Sequence, residues 1–196
     1  MTNLTKHKTA KIISILFIPQ TFTILVFSFL AYKYEPVFLQ KWVAIFTAFT
    51  FGFSIQILTY LYMLKKRKIK SFDETESNER TIPYLAQTGF YFVGLFILLF
   101  FNVNHLLMVL WFSYIVNNFV LLLINYKWKI SSHSIAVAQH FALFVYLLNP
   151  IYLAFLPVAY LIGWARVELN VHDKYQVLGG LLLGFSLTYL QLYILL

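Results

Sequence analysis

Apolar residues in this chain are grouped into long runs, and short polar segments separate one run from the next. An α-helix needs about 20 apolar residues to cross the hydrocarbon layer of a membrane. The runs predict spans at 12–32, 42–64, 84–101, 106–124, 134–148, 151–164 and 177–196, of which the fifth and sixth are short. Backbone polar groups that face lipid must bond within their own segment, so the pattern predicts an all-α fold. We expect a polytopic transmembrane helical bundle of about six to seven spans, with residues 1–196 as one integral membrane domain.

The composition agrees with this pattern. Hydrophobic residues make up 61% of the chain, aromatic residues 20% and charged residues only 11%, whereas soluble domains are about half apolar and a quarter charged. The chain has no cysteine, which excludes thiol chemistry and cysteine-bound metals. The basic start precedes an apolar run that is too long for a cleavable signal core, so we expect a signal anchor that is retained.

The net charge of +8 would suit nucleic acid, but basic loops in membrane proteins set orientation and contact anionic lipid. We therefore expect membrane lipid as a partner and no nucleic acid. The polar loop at 65–83 begins with "KKRKIK", and by counting crossings only Lys33 and Lys41 lie on the opposite side from the other basic residues. In a bacterial cytoplasmic membrane this asymmetry predicts a cytoplasmic N-terminus and an external C-terminus.

Polar residues at the ends of three different spans are expected on one membrane face, because two crossings separate each segment from the next. The residues concerned are Arg80, Lys127, Lys129, Ser131, Ser132, His133, Arg166 and His172. Arginine binds phosphate oxygens with its planar fork, and a histidine can attack phosphorus or transfer a proton near neutral pH. No carboxylate cluster has metal-ligand spacing, so we expect a metal-free reaction without a cofactor.

The same segments carry signals for helix starts. Thr81 is a candidate cap with Pro83 in the first turn, and Ser131 or Ser132 is a candidate cap for the helix that contains His133. In "HDKYQ", Asp173 and Gln176 have the spacing of a capping box. Three helix N-termini at one site would add N–H groups that favour an anion.

His140 is the one ionisable residue inside a predicted span, and a lone histidine there is more often a packing residue with its hydrogen bonds satisfied. Transporters and pumps usually carry several ionisable residues at mid-membrane depth. The clean spans therefore disfavour a small transporter.

The stretch "WARVELNVHDKYQVLGG" resembles the third motif of the type 2 phosphatidic acid phosphatase superfamily, which includes the vanadium haloperoxidases. That motif has arginine, histidine and aspartate, and Gln176 stands here in place of the aspartate. "ISSH" is similar to the second motif, Pro-Ser-Gly-His: Ser131 and His133 keep their places, while Ile130 and Ser132 replace the proline and the glycine. The first motif survives only as Arg80, with Asp73 where lysine is expected. The resemblance covers residues 80–184 as a phosphatase-like core.

The resemblance implies a role for each matching residue. His172 would be the nucleophile that forms a phosphohistidine, oriented by Gln176, and His133 would protonate the leaving alcohol and then activate water. Phosphate oxygens would be held by Arg80, Arg166 and Ser131, with Lys129 or Lys127 replacing the missing lysine.

These observations predict a membrane-embedded phosphatase that hydrolyses a lipid phosphate or diphosphate, such as phosphatidic acid, a phosphatidylglycerol phosphate or a polyprenyl diphosphate. The departures from the motifs favour an alternative, a catalytically degenerate member that binds a phosphate-bearing lipid or has a structural membrane role. The resemblance and the charges disagree about which side of the membrane the site faces. Members of the superfamily mostly work outside the cytoplasm, whereas the basic residues favour a cytoplasmic site. The sequence does not indicate an oligomeric state.

Overall fold

The computed structural model describes residues 3–70 and 77–196, and all regular secondary structure in these ranges is helical. This confirms the all-α prediction. The elements are α1 (Asn3–Leu16), α2 (Pro19–Tyr34), α3 (Phe38–Thr47), a π-helical segment (Ala48–Ser54), α4 (Ile55–Lys65), α5 (Ser77–Phe100), α6 (His105–Asn125), α7 (Ser132–Tyr146), α8 (Tyr152–Glu168) and α9 (Lys174–Leu195).

Four helices in the described ranges are long and apolar enough to cross a membrane, namely Phe38–Lys65, Glu79–Phe100, His105–Asn125 and Lys174–Leu195. The bent pair of α1 and α2 would make a fifth span. With 15 and 17 residues, α7 and α8 are shorter than the roughly 20 residues of a typical span. The structure therefore supports four to five spans, and the expected six to seven are not confirmed.

The first predicted span is not one straight helix. The chain leaves the helix at Ile18, whose ψ is 154°, and α2 begins at Pro19 with a bend of 47° between the two helices. A residue that precedes proline is displaced from the helical region by the proline ring. Apolarity alone did not reveal this break, and Pro19 was its signal.

The start of α5 also differs from the prediction. The helix begins at Ser77, so Pro83 lies inside it and Thr81 is not its cap. Proline removes one hydrogen bond of the second turn but fits the helical φ. The predicted loop at 65–83 is therefore helical from Ser77 onward, while Asp73 lies outside the described residues.

Two glycines allow α9 to lie directly against α7. A Cβ atom at Gly180 would come within 2.7 Å of the Ser131 carbonyl oxygen, and one at Gly184 within 2.5 Å of the Ile135 carbonyl oxygen. Small residues four positions apart let membrane helices approach at backbone distance. The crossing brings the two helix starts together, where the Ser131 N–H donates to the Gln176 carbonyl at 3.3 Å.

The main apolar core lies among α2, α3, α5 and α6, around the buried Trp111. The indole N–H of Trp111 donates to the Tyr91 carbonyl at 2.8 Å, and Phe27 packs edge-on against the indole ring. This core holds α5 against α6. It therefore also determines where the first turns of α5 lie relative to the candidate site.

Candidate functional site

A cavity of about 80 Å³ opens at the end of the bundle where α5 and α7 begin and α8 ends. Three of its lining residues are Arg80 from α5, His133 from α7 and Arg166 from α8. Only 4%, 5% and 1% of their respective surfaces are exposed. The charged side chains among the described lining residues are these two arginines. Buried charges of one sign favour a ligand of the opposite sign, so the cavity suits an anion.

The turn after α8 places Arg166 and His172 together. Asn170 has a φ of 55°, a left-handed conformation that asparagine adopts more readily than most residues at a helix end. The chain then folds back, and the N–H groups of Val171 and His172 both donate to the Arg166 carbonyl at 3.3 Å. His172 is thereby fixed one short turn from the arginine.

The imidazole of His172 is held in one tautomer. Its Nδ1 lies 2.9 Å from Gln176 Oε1 and 3.1 Å from the Lys129 carbonyl oxygen. Both partners are acceptors, so Nδ1 carries the hydrogen and Nε2 keeps its lone pair. Within the described parts of the chain, Nε2 is buried and has no hydrogen-bond partner.

The charge state of His172 follows from its surroundings. Burial first, and then the positive charges of Arg80 and Arg166, lower the pKa of His172 to about 3, although the bond to Gln176 acts in the opposite direction. The imidazole is therefore neutral at pH 7, with a nucleophilic nitrogen available. His172 does not itself line the cavity, but the two arginines that do are near enough to act on its charge.

Gln176 has two roles at the start of α9. Its Oε1 accepts from the Asp173 N–H at 3.4 Å, while the Asp173 side chain accepts from the Gln176 N–H at 2.9 Å. The predicted capping box is therefore confirmed. The same oxygen accepts from His172, so the cap and the orientation of the imidazole share one side chain.

His133 is held from the opposite direction by a residue that sequence reasoning missed. Its Nε2 donates to the Ser14 carbonyl at 3.2 Å, which leaves the lone pair on Nδ1, a buried atom with no partner among the described residues. The Ser14 hydroxyl also accepts from Arg166 Nη1 at 2.5 Å. Ser14 lies in the first apolar run, where no local sequence signal marked it as a site residue.

The remaining predicted phosphate ligands have other contacts. Ser131, one of the two predicted candidates, is the α7 cap, and its hydroxyl accepts from the N–H and the hydroxyl of Ser134. Its N–H donates to Gln176, and Ser132 lines the cavity in its place. Lys129 offers its carbonyl to His172 and adds a positive charge near that imidazole.

His140 is a packing residue, as predicted. It is completely buried, its Nδ1 donates to the Ala136 carbonyl at 2.7 Å, and its Nε2 accepts from the Tyr114 hydroxyl at 3.0 Å. Both ring nitrogens are satisfied, so His140 has no spare group for chemistry.

Comparison of the chain with protein-family models, with curated proteins and with solved structures found no match. The likeness to the phosphatidic acid phosphatase superfamily therefore depends on the motif residues alone, and it enters below as part of a proposal.

Proposed function

We propose that this protein is a membrane-embedded phosphatase that hydrolyses a lipid phosphate or diphosphate through a phosphohistidine intermediate. The observation that supports this best is His172, whose Nδ1 is fixed by two acceptors while the buried Nε2 keeps its lone pair. The adjoining cavity supplies two arginines and a second histidine. The motif resemblance over 80–184 supports the same assignment.

In the first step the Nε2 lone pair of His172 attacks phosphorus, and the bond between phosphorus and the alcohol oxygen breaks. Arg80 and Arg166 stabilise the charge on the non-bridging oxygens. The departing alkoxide takes a proton from Nδ1 of His133, which must be protonated when the substrate binds. Burial and the nearby arginine charges both oppose that proton in the empty site, and the negative phosphate favours it by offsetting the charges.

In the second step water attacks the phosphohistidine. His133, now neutral at Nδ1, accepts a proton from the water, and the phosphorus–nitrogen bond breaks to release phosphate and restore His172. The bond from His133 Nε2 to the Ser14 carbonyl keeps the ring in one orientation through both steps.

Gln176 supports a second candidate, a protein that binds a phosphate-bearing lipid without turnover. An amide oxygen orients His172 but does not stabilise the positive charge that develops on attack. In serine proteases the corresponding exchange of carboxylate for amide lowers the rate by about 10⁴. A slow phosphatase and a binding protein therefore use the same geometry and differ only in rate.

The apolar helices would hold the lipid tail, while the span ends hold its phosphate. In this proposal α7 and α8 cross the membrane with the five other candidates, which gives the bundle seven spans. The excess of basic residues at the end that carries the site favours a cytoplasmic face.

The test is phosphate release by purified protein in detergent, over a panel of lipid phosphates and diphosphates. We expect release by the wild type and none by His172→Ala. His105→Ala is the matched control, because this exposed histidine begins α6 and does not line the cavity. Equal release by the His172→Ala protein would refute the mechanism, and phosphate binding without any release would favour the binding protein.

A further inference from the structure

The cavity continues beyond the arginines into an uncharged polar region. Tyr84, Gln87, Asn118 and Gln139 line this inner part, and each is no more than 7% exposed. Gln139 lies seven residues after Ser132 on α7, which places it about 10 Å further along the helix axis. We call these four residues the inner wall.

Three amides of the inner wall have hydrogen-bonding capacity to spare. The Asn118 amide N–H groups donate to the Tyr84 carbonyl at 2.8 Å and the Thr88 hydroxyl at 2.7 Å, which leaves its Oδ1 without a partner among the described residues. Gln87 likewise donates to Gln56 and Tyr91 and retains its Oε1.

Gln139 presents the complementary group. Its Oε1 accepts from Asn117 at 2.8 Å, and in the described part of the chain its two amide N–H groups have no partner. None of these three spare groups is fully enclosed by protein. Since the residues line the cavity, the cavity offers two acceptors and one donor group beyond the arginines.

We propose that the inner wall binds a neutral, hydroxylated group that is attached to the phosphate. An acyl or prenyl chain would leave three polar groups unpaired in a low-dielectric site, and a second phosphate would face two carbonyl oxygens. A hydroxyl both donates and accepts, so it matches this mixture of groups. The inference rests on the proposed function and specifies its substrate, a phosphate ester whose alcohol carries hydroxyl groups close to phosphorus.

The probes are glycerol 3-phosphate and n-propyl phosphate, which share a three-carbon chain and differ in two hydroxyl groups. Binding is measured by calorimetry in detergent on the His172→Asn protein, which lacks the attacking nitrogen and leaves the esters intact. We expect glycerol 3-phosphate to bind about tenfold more tightly, the effect of one or two added hydrogen bonds.

Two variants of the inner wall, made in that protein, should reduce the preference. Gln139→Met removes the spare donor together with the oxygen that accepts from Asn117, and Tyr84→Phe removes a hydroxyl that lies near Tyr60 and makes no hydrogen bond to the described residues. Tyr146→Phe, on α7 and outside the cavity lining, is the matched control. Equal affinity for the two esters, or a preference for glycerol 3-phosphate that remains in both variants, would refute the proposed role of the inner wall.

The proposed function has a separate readout in the same experiment. Inorganic phosphate should bind the His172→Asn protein and should lose affinity in an added Arg166→Gln variant, whatever the ester preference. If inorganic phosphate binds but the esters bind equally, only the inner wall fails. If none of the three binds, both proposals fail.

Discussion

Ser14 and Arg166 are joined by a hydrogen bond between a hydroxyl and a guanidinium, although 152 positions separate them in the chain. The same serine accepts from His133 through its carbonyl. We expect Ser14→Ala to weaken phosphate binding by about tenfold, because hydrogen bonds to charged groups contribute about 1.5–3 kcal/mol. Calorimetry with inorganic phosphate measures this. Ser28→Ala is the control, since the Ser28 hydroxyl is buried without a partner among the described residues and its loss should change nothing.

Gln176→Glu should increase the rate of phosphate release. Glutamate has the same length and keeps the cap at the start of α9, and its charge would stabilise the imidazolium that forms when His172 attacks. Single-turnover measurements with one lipid phosphate would report the change. Because the carboxylate raises the pKa of His172, the acidic limb of the pH–rate profile should also move upward. A variant that binds the lipid as well as the wild type, yet still releases no phosphate, would support the binding protein.

The stability of the fold should decrease in acid because of His172. The pKa of this residue is about 3 in the folded protein and 6.5 as its ordinary value, so the unfolded chain takes up the proton first as the pH falls. The contribution is complete above about pH 6.5 and is lost progressively toward pH 3. As the pH falls, the unfolding temperature in detergent should decrease less for His172→Asn than for the wild type. If the unfolding temperatures of the two proteins decrease equally with falling pH, the environment assigned to His172 is wrong.

Gly184→Ala should destabilise the protein by about 1–3 kcal/mol, the usual cost of overpacking, because the new Cβ would meet the Ile135 backbone at 2.5 Å. Gly89→Ala is the matched control on α5, where nothing lies within 4 Å of the added atom. There the better helix propensity of alanine should leave stability unchanged or raise it by up to about 1 kcal/mol. Thermal unfolding of the two variants checks the contrast, and equal effects would contradict the close approach of α7 and α9.

The C-terminus should lie on the opposite side of the membrane from the N-terminus. If the bent pair of α1 and α2 crosses, the described spans number five, and including α7 and α8 together adds two crossings without changing the parity. With the cytoplasmic N-terminus that we propose from the basic residues, a C-terminal alkaline phosphatase fusion should be active and a C-terminal fluorescent protein dark. The reverse result would show that the bent pair does not cross or that the N-terminus is external.

Local sequence signals predicted the parts of the site that depend on neighbouring residues. The caps at Ser131 and Asp173 were evident because side-chain type and spacing determine them. The helical content followed from hydrophobic run length in the same way, whereas four to five spans are supported where seven were predicted.

Features that depend on distant contacts were not evident. Ser14 becomes important only because α1 packs on α8, and no local pattern distinguishes it from other small polar residues in apolar runs. The start of α5 was misplaced because Pro83, a frequent marker of a first turn, is accommodated within the helix. The inner wall was missed because its asparagine and two glutamines lie inside predicted spans, which were identified by apolarity alone.

The break at Ile18 has a consequence for biosynthesis. A chain emerges from the ribosome with its N-terminus first, so Ser14 is made long before His133 and Arg166, the two residues to which it is bonded. Until α8 is complete, Arg166 is not available to the Ser14 hydroxyl, and the break at Ile18 separates α1 from the helix α2 that follows it. The contacts that join Ser14 to the site therefore form only after residues 119 and 152 positions further along the chain have been made.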